Sequence, residues 1–195
     1  MPVLTSTAAR RAAVRFRRVY VPLGTLVTAW EFLRANGSRG REQLCFLAGR
    51  VVDGASGPGA QVTCCVLPLT VASEGYVTLT SHAQTALILD HLEGRDEIPI
   101  FSLHTHGDGG AGGCGPEHSE IDDRGVALGP EDGVFSAVIP HYALGSPFGF
   151  PHQSTVYERV AGVWQRLSPE ERDARVIVHG DTLRFVREQG GGSDA

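Results

Sequence analysis

Two histidines, His104 and His106, stand two positions apart at the end of an apolar segment, 98–106, that reads IPIFSLHTH. Side chains alternate between the two faces of a strand, so both imidazoles would point to the same face of a sheet. Two neutral imidazoles form half of a tetrahedral zinc site, and a catalytic zinc adds a third protein ligand and keeps one position open. The spacing therefore predicts a metal site at the end of this strand.

The third ligand that we predict is Asp122, in the segment Ser119-Glu120-Ile121-Asp122. If a helix begins at Ser119, Asp122 lies in its first turn, and the carboxylate can reach back toward the strand end. The same four residues are typical of a helix capping box, which is a structural role on its own. The two interpretations are compatible, because a capping residue can also face a metal.

His-x-His followed by Ser-x-x-Asp resembles the signature of the JAB/MPN (JAMM) zinc metallopeptidases. Glu42, in GREQLCFLAGRV, resembles the glutamate that this family carries upstream, before an apolar segment. The resemblance implies one zinc ion per chain, held by His104, His106 and Asp122. It also implies that Glu42 is the general base and that Ser119 hydrogen-bonds the developing oxyanion.

The resemblance further implies an activity, which is that of a prokaryotic deubiquitinase-like isopeptidase. Such an enzyme hydrolyses an isopeptide or peptide bond after the C-terminal tail of a ubiquitin-like modifier, with a metal-bound water as the nucleophile. Its partners would be the modifier or its conjugates, together with activating and conjugating enzymes of the same system. Family members that lack the ligands act as assembly modules, so a catalytically inactive scaffold or binding module is the alternative.

The chain departs from the family pattern directly after the second histidine. The family usually has proline there and a shorter spacer before the serine, whereas this chain has Gly107 and the glycine-rich segment GDGGAGGCGPEH, 107–118. We predict that 107–116 is a mobile flap over the substrate channel. The altered spacer could also place Ser119 differently. A cupin-type dioxygenase, the other His-x-His metalloprotein that we consider, would need a glutamate shortly after the second histidine, and position 110 is glycine.

Several other polar residues near the motif are weaker candidates for the metal site. Asp108, Cys114 and His118 rank below Asp122 as ligands, and Asp123 would point elsewhere on a helix. We assign His141 and His152 to loops, and His82 and His91 to the surface of a helix.

The elements that would position these residues follow from periodicity and turn chemistry. We predict strands at 13–21, 43–52, 61–70, 98–106, 134–139 and 175–178, a hairpin over 155–167 that turns at Ala161-Gly162, and helices after residues 23, 81 and 119. The strand at 43–52 is a continuous apolar run, as expected for burial on both faces. The segment 53–60, DGASGPGA, has turn chemistry, so we expect the strands at 43–52 and 61–70 to pair as a hairpin. The order indicates an α/β (α+β) fold with a mixed central sheet flanked by helices, and the resemblance implies an MPN/cytidine-deaminase-like architecture. We expect a single domain over 1–187 and a flexible tail over 188–195.

The composition excludes some classes of partner. The formal net charge is −5, so the chain lacks the basic excess of proteins that bind nucleic acid or anionic membranes. No apolar run approaches the length of a membrane span. The chain has four cysteines without a C-x-x-C pair, and we expect Cys45 and Cys64 to be buried thiols. This usage indicates a reducing compartment, the cytoplasm.

Overall fold

The computed structural model describes residues 15–54, 57–107, 117–125, 128 and 132–180. The strands are β1 Arg18–Pro22, β2 Leu44–Gly54, β3 Gly57–Val66, β4 Thr70–Ala72, β5 Val77–Leu79, β6 Ile98–Thr105, β7 Phe135–Ile139, β8 Thr155–Val160, β9 Val163–Arg166 and β10 Val176–His179. Eight of them form a mixed sheet with the order β10-β1-β3-β2-β6-β7-β8-β9, and β4 and β5 form a separate two-stranded sheet.

The described residues also form α-helices, so the predicted α/β (α+β) fold class with a mixed sheet is confirmed. They are α1 Leu23–Gly37, α2 His82–Glu93, α3 Glu120–Gly125 and α4 Pro169–Arg175, with short 3-10 turns at His141–Ala143 and Pro147–Gly149. Within the described ranges, no helix is both long enough and apolar enough to cross a membrane. The predicted tail, 188–195, lies outside the described residues.

The middle of the sheet is buried on both faces. The first six residues of β2 are buried, as the continuous apolar run predicts. Cys45 and Leu47 contribute to the core beneath α1, whereas Leu44 and Phe46 belong to a second cluster with Val77. Because β6 lies directly between β2 and β7, its residues are held from both sides. The strand that carries the two histidines is therefore among the most firmly supported parts of the fold.

Hydrogen-bond registers confirm the predicted hairpins and locate their ends. Strands β2 and β3 pair antiparallel out to Gly54 and Gly57, so they extend into the segment predicted as a turn. The predicted strand 61–70 is wrong beyond Val66, where the chain passes through Pro68 and then forms β4. The β8–β9 hairpin turns at Ala161 and Gly162 as predicted. The first strand begins at Arg18 rather than at 13; residues 13 and 14 lie outside the described ranges.

Three further features differ from the sequence predictions. The small β4–β5 sheet was not predicted, because strands of three residues carry too little periodicity to detect. Helix α4 was not predicted, although Ser168 and Glu171 form a capping box at its start. The expectation that Cys64 is buried is wrong: it is half-buried, and its thiol donates to Oε2 of Glu97 at 3.6 Å. Cys45 is fully buried, as predicted.

Candidate metal centre

Strand β6 and the residue that follows it present the two histidines from the centre of the sheet. His104 pairs in register with Leu44 of β2 and Val138 of β7. The backbone N–H of His106 donates to the carbonyl of Ile139 at 3.0 Å, which extends the β6–β7 pairing past the end of β6. Both side chains are buried. The prediction that the two imidazoles share one face is confirmed, since their rings lie 5.0 Å apart.

Helix α3 supplies the carboxylate through its cap. The backbone N–H and the hydroxyl of Ser119 both donate to Oδ2 of Asp122, at 2.7 and 2.8 Å. The backbone N–H of Asp122 donates in return to the Ser119 hydroxyl at 3.2 Å. These reciprocal bonds form the predicted capping box, and they fix the Asp122 carboxylate in one orientation. That orientation faces β6.

The three side chains converge on one point. Oδ1 of Asp122 lies 3.5 Å from Nε2 of His104, and Oδ2 lies 3.2 Å from Nε2 of His106. One ligand atom from each residue falls within 4.8 Å of the others, and all three residues are buried. Both ring nitrogens of His104 are buried without a hydrogen bond from any described residue. This donor set fits a divalent metal ion with imidazole and carboxylate ligands, as zinc and other transition metals prefer.

The protonation states also suit metal binding, which requires neutral imidazoles and an ionised carboxylate. Burial lowers the pKa of His104, against the opposing effect of Asp122. Burial would raise the pKa of Asp122, but contacts with His104 and His106 and the N–H of Ser119 hold that pKa well below its ordinary value. The site is therefore prepared to accept a cation without first releasing a proton from Asp122.

Glu42 lies beside this group but is not one of its ligands. It lies two residues before the start of β2, the strand that pairs with β6, and its backbone N–H donates to the carbonyl of Ser73 at 2.8 Å. Its side chain is buried, and no described residue hydrogen-bonds its Oε1. Burial raises the pKa of Glu42 to about 7, His106 lowers it, and Asp122 raises it further. A buried carboxyl group with a pKa near neutrality can both accept and return a proton.

His118 packs behind the candidate ligands and was only a weak ligand candidate in the sequence. Its Nε2 lies 2.9 Å from the Ser136 hydroxyl and its Nδ1 lies 3.2 Å from Oδ1 of Asp123. Its ring stacks on Tyr157 at 3.9 Å and lies 5.4 Å from the ring of His104. Both ring nitrogens are thus engaged elsewhere, and burial lowers the His118 pKa to about 4. His118 is a support for the site and not part of the ligand group.

The other candidates do not belong to the ligand group or lie outside the described residues. Asp123 is not part of the ligand group, as predicted, and its Oδ1 lies 3.2 Å from Nδ1 of His118. His82, His91, His141 and His152 are exposed. Asp108, Cys114 and the predicted flap beyond Gly107 lie outside the described residues. Tyr157 and Ser136 were not identified from sequence, because they come from two other strands and only the sheet order brings them to His118.

We expect His118→Ala to weaken metal binding without removing a ligand. The Nε2 of His118 lies 2.9 Å from the Ser136 hydroxyl and its ring stacks on Tyr157, so this side chain ties the start of α3 to β7 and β8. Loss of supporting contacts around a metal site typically lowers affinity by about 10-fold or more. A competition titration would measure the Zn²⁺ affinity. The matched control is His152→Ala, which replaces an exposed histidine that pairs with Asp173. A wild-type Zn²⁺ affinity in His118→Ala would contradict the supporting role.

Comparisons with known proteins bear on the fold. No protein-family model matches the chain, and no curated protein matches it. The fold is similar to the solution structure of protein DSY2949 from Desulfitobacterium hafniense, with a TM-score of 0.52 and 11% sequence identity, over 84% of this chain and 94% of that chain. Likeness at this level of identity shows a shared fold and carries no activity from one protein to the other.

Proposed function

We propose that the protein is a zinc-dependent hydrolase that cleaves an isopeptide or peptide bond after the C-terminal tail of a ubiquitin-like modifier. The observation that supports this proposal most is the buried group of His104, His106 and Asp122, whose ligand atoms lie within 4.8 Å of one another. Glu42 stands beside the group as a buried carboxyl. These four residues occupy the positions that resemble the JAB/MPN motif, in the same order along the chain.

The proposed chemistry divides between the metal and the protein. Zinc, when bound, would polarise the scissile carbonyl and lower the pKa of a water molecule to about 7. Glu42 would accept a proton from that water and later deliver one to the leaving amine. A glutamate performs both steps best when its pKa lies near the working pH, and burial moves the pKa of Glu42 in that direction. The reaction needs no covalent intermediate with the protein.

The Ser119 hydroxyl can donate its hydrogen bond either to Asp122 or to the developing oxyanion of a substrate. In the structure that hydroxyl donates to Asp122 at 2.8 Å. The oxyanion role therefore stays a prediction, and it requires the hydroxyl to turn from Asp122 to the substrate. The backbone N–H of Ser119 also donates to Asp122, at 2.7 Å, so the carboxylate would keep this hydrogen bond after the hydroxyl has rotated toward the substrate.

The proposed substrate is an extended tail that ends in Gly-Gly. Glycine is favoured where a backbone must approach a buried metal closely, because it has no Cβ to collide with the walls of the site. We propose the modifier or its conjugates as the main partner, with activating and conjugating enzymes of the same system as further partners. The described cysteines are free thiols, which supports the proposed cytoplasmic location.

Cleavage of a Gly-Gly-tailed probe would test this proposal. The zinc-loaded protein should release the fluorophore from ubiquitin-like modifiers whose C-terminal glycine carries an aminomethylcoumarin amide. Chelation should stop the release, and added Zn²⁺ should restore it. If the protein binds zinc but cleaves no member of a panel of such modifiers, the scaffold alternative replaces the proposed enzyme.

A further inference from the structure

An unusual turn follows β7 on the side of the candidate site. Three consecutive residues that are not glycine, His141, Tyr142 and Ala143, have left-handed backbone conformations, with φ of 54°, 52° and 58°. This region is unfavourable for L-amino acids, whose Cβ crowds the following carbonyl. Such turns persist only where the surrounding structure determines them, and they are concentrated at functional sites. The contacts of Tyr142 show what this turn positions.

Tyr142 connects two segments that flank the candidate site. Its backbone N–H donates to the carbonyl of His106 at 2.8 Å. Its hydroxyl donates to the carbonyl of Glu74 at 3.2 Å, in the turn between β4 and β5. The neighbouring carbonyl of that turn, from Ser73, accepts the backbone N–H of Glu42 at 2.8 Å. A short path of hydrogen bonds thus runs from a candidate ligand, through Tyr142, to the candidate base.

Gly107 makes room for the Tyr142 ring. A Cβ at position 107 would lie 2.6 Å from the Tyr142 hydroxyl oxygen and 2.7 Å from Cζ. These distances are too short, so any larger residue would push the ring away and break its bond to Glu74. The observed position of the Tyr142 ring therefore requires glycine at position 107.

We propose that Tyr142 is a positioning residue that fixes Glu42 relative to His106, and that Gly107 is required for it to do so. The effect of Tyr142 on catalysis rests on the proposed hydrolase function. The hydrogen-bonded linkage from His106 through Tyr142 to the turn that holds Glu42 does not depend on that function. The side-chain hydroxyl is the part that reaches the β4–β5 turn, so Tyr142→Phe isolates it. Gly107→Ala should have the same effect by displacing the ring.

Amide hydrogen exchange at Glu42, measured by NMR, tests the linkage without metal or substrate. Loss of the hydroxyl bond to the Glu74 carbonyl should speed exchange at Glu42 by about five-fold in Tyr142→Phe and in Gly107→Ala. The double variant should exchange no faster than either single variant, because both changes remove the same bond. Unchanged exchange in both single variants, or effects that multiply in the double variant, would overturn the proposal.

Two matched controls separate this linkage from general loosening. Tyr20→Phe changes a tyrosine on β1, which is separated from β6 by β3 and β2. Gly94→Ala adds a methyl group whose nearest neighbours lie at an ordinary 3.6 Å. Neither variant should change exchange at Glu42. Faster exchange at Glu42 in either control would show that the effect is nonspecific and would count against Tyr142.

Kinetics with the fluorogenic Gly-Gly probe test the catalytic consequence. Tyr142→Phe should keep one zinc per chain and the wild-type KM, and should lower kcat by about five-fold, in line with the change at Glu42. A raised KM with unchanged kcat would mean that Tyr142 contacts substrate and does not position the base. If the wild-type protein cleaves no probe while the exchange result holds, the proposed function fails and the linkage stands.

Discussion

Replacing Glu42 by Gln is expected to lower kcat by about 10²- to 10⁴-fold, the usual contribution of a general acid–base group. The amide keeps the size of the side chain but cannot accept a proton from water. Zinc should stay bound, because Glu42 lies beside the three ligands and is not one of them. The measurement is kcat with the Gly-Gly fluorogenic probe, together with metal content.

The matched control for this change is Glu93→Gln, at an exposed glutamate that ends α2. It should leave both kcat and zinc content at the wild-type value. Wild-type turnover in Glu42→Gln would refute the assigned base, whatever the metal content. Loss of zinc in Glu42→Gln would instead mean that Glu42 is a ligand.

Replacing Glu158 by Gln is expected to lower the free energy of unfolding by about 3 kcal/mol, the lower end of the range for a broken buried ion pair. Glu158 is 1% exposed and accepts two hydrogen bonds from Arg175, at 2.8 and 2.6 Å. Arg15 adds a further contact at 3.0 Å but is 63% exposed. This network of Glu158, Arg175 and Arg15 joins β8 to the end of α4 and to the segment before β1. Denaturant unfolding measures the change.

The surface pair of Arg166 and Glu117 is the control for Glu158→Gln. Both side chains are more than half exposed, so Glu117→Gln should cost at most about 1 kcal/mol. Equal effects of the two substitutions would show that burial does not strengthen the Glu158 network.

The pH dependence of this effect has a definite sign. Burial would raise the pKa of Glu158, but hydrogen bonds from Arg175 and Arg15 lower it below the ordinary value. A lowered carboxyl pKa adds stability that is complete above the unfolded-state pKa, about 4.3, and is lost as the pH falls through the folded-state pKa. The stability gap between wild type and Glu158→Gln should therefore narrow below about pH 4.3. A gap that widens in acid would contradict this account.

The ligand group could be predicted from sequence because its determinants are local. The alternation of β6 places His104 and His106 on one face, and the Ser119 cap orients Asp122 within a single turn of helix. The β2–β3 and β8–β9 hairpins were likewise visible, because turn residues separate two apolar runs. Helix α4 carried an equally local signal in its capping box. It was missed because seven residues are too few to show helical periodicity.

The supports of the site could not be predicted, because they depend on the order of strands in the sheet. Ser136 and Tyr157 meet His118 only because β7 and β8 lie next to each other beyond β6. Left-handed conformations at His141 and Tyr142 have no sequence signal, since neither residue is glycine or asparagine. The packing of Tyr142 on Gly107 joins segments that are distant along the chain.

Metal content, measured by elemental analysis of the purified protein, tests the central claim most directly. The buried group of His104, His106 and Asp122 should hold one zinc ion per wild-type chain. His106→Ala should hold none, and the His152→Ala control should match the wild type. Wild-type protein that is free of metal and refuses added Zn²⁺, or His106→Ala protein that keeps its zinc, would contradict the assigned metal centre.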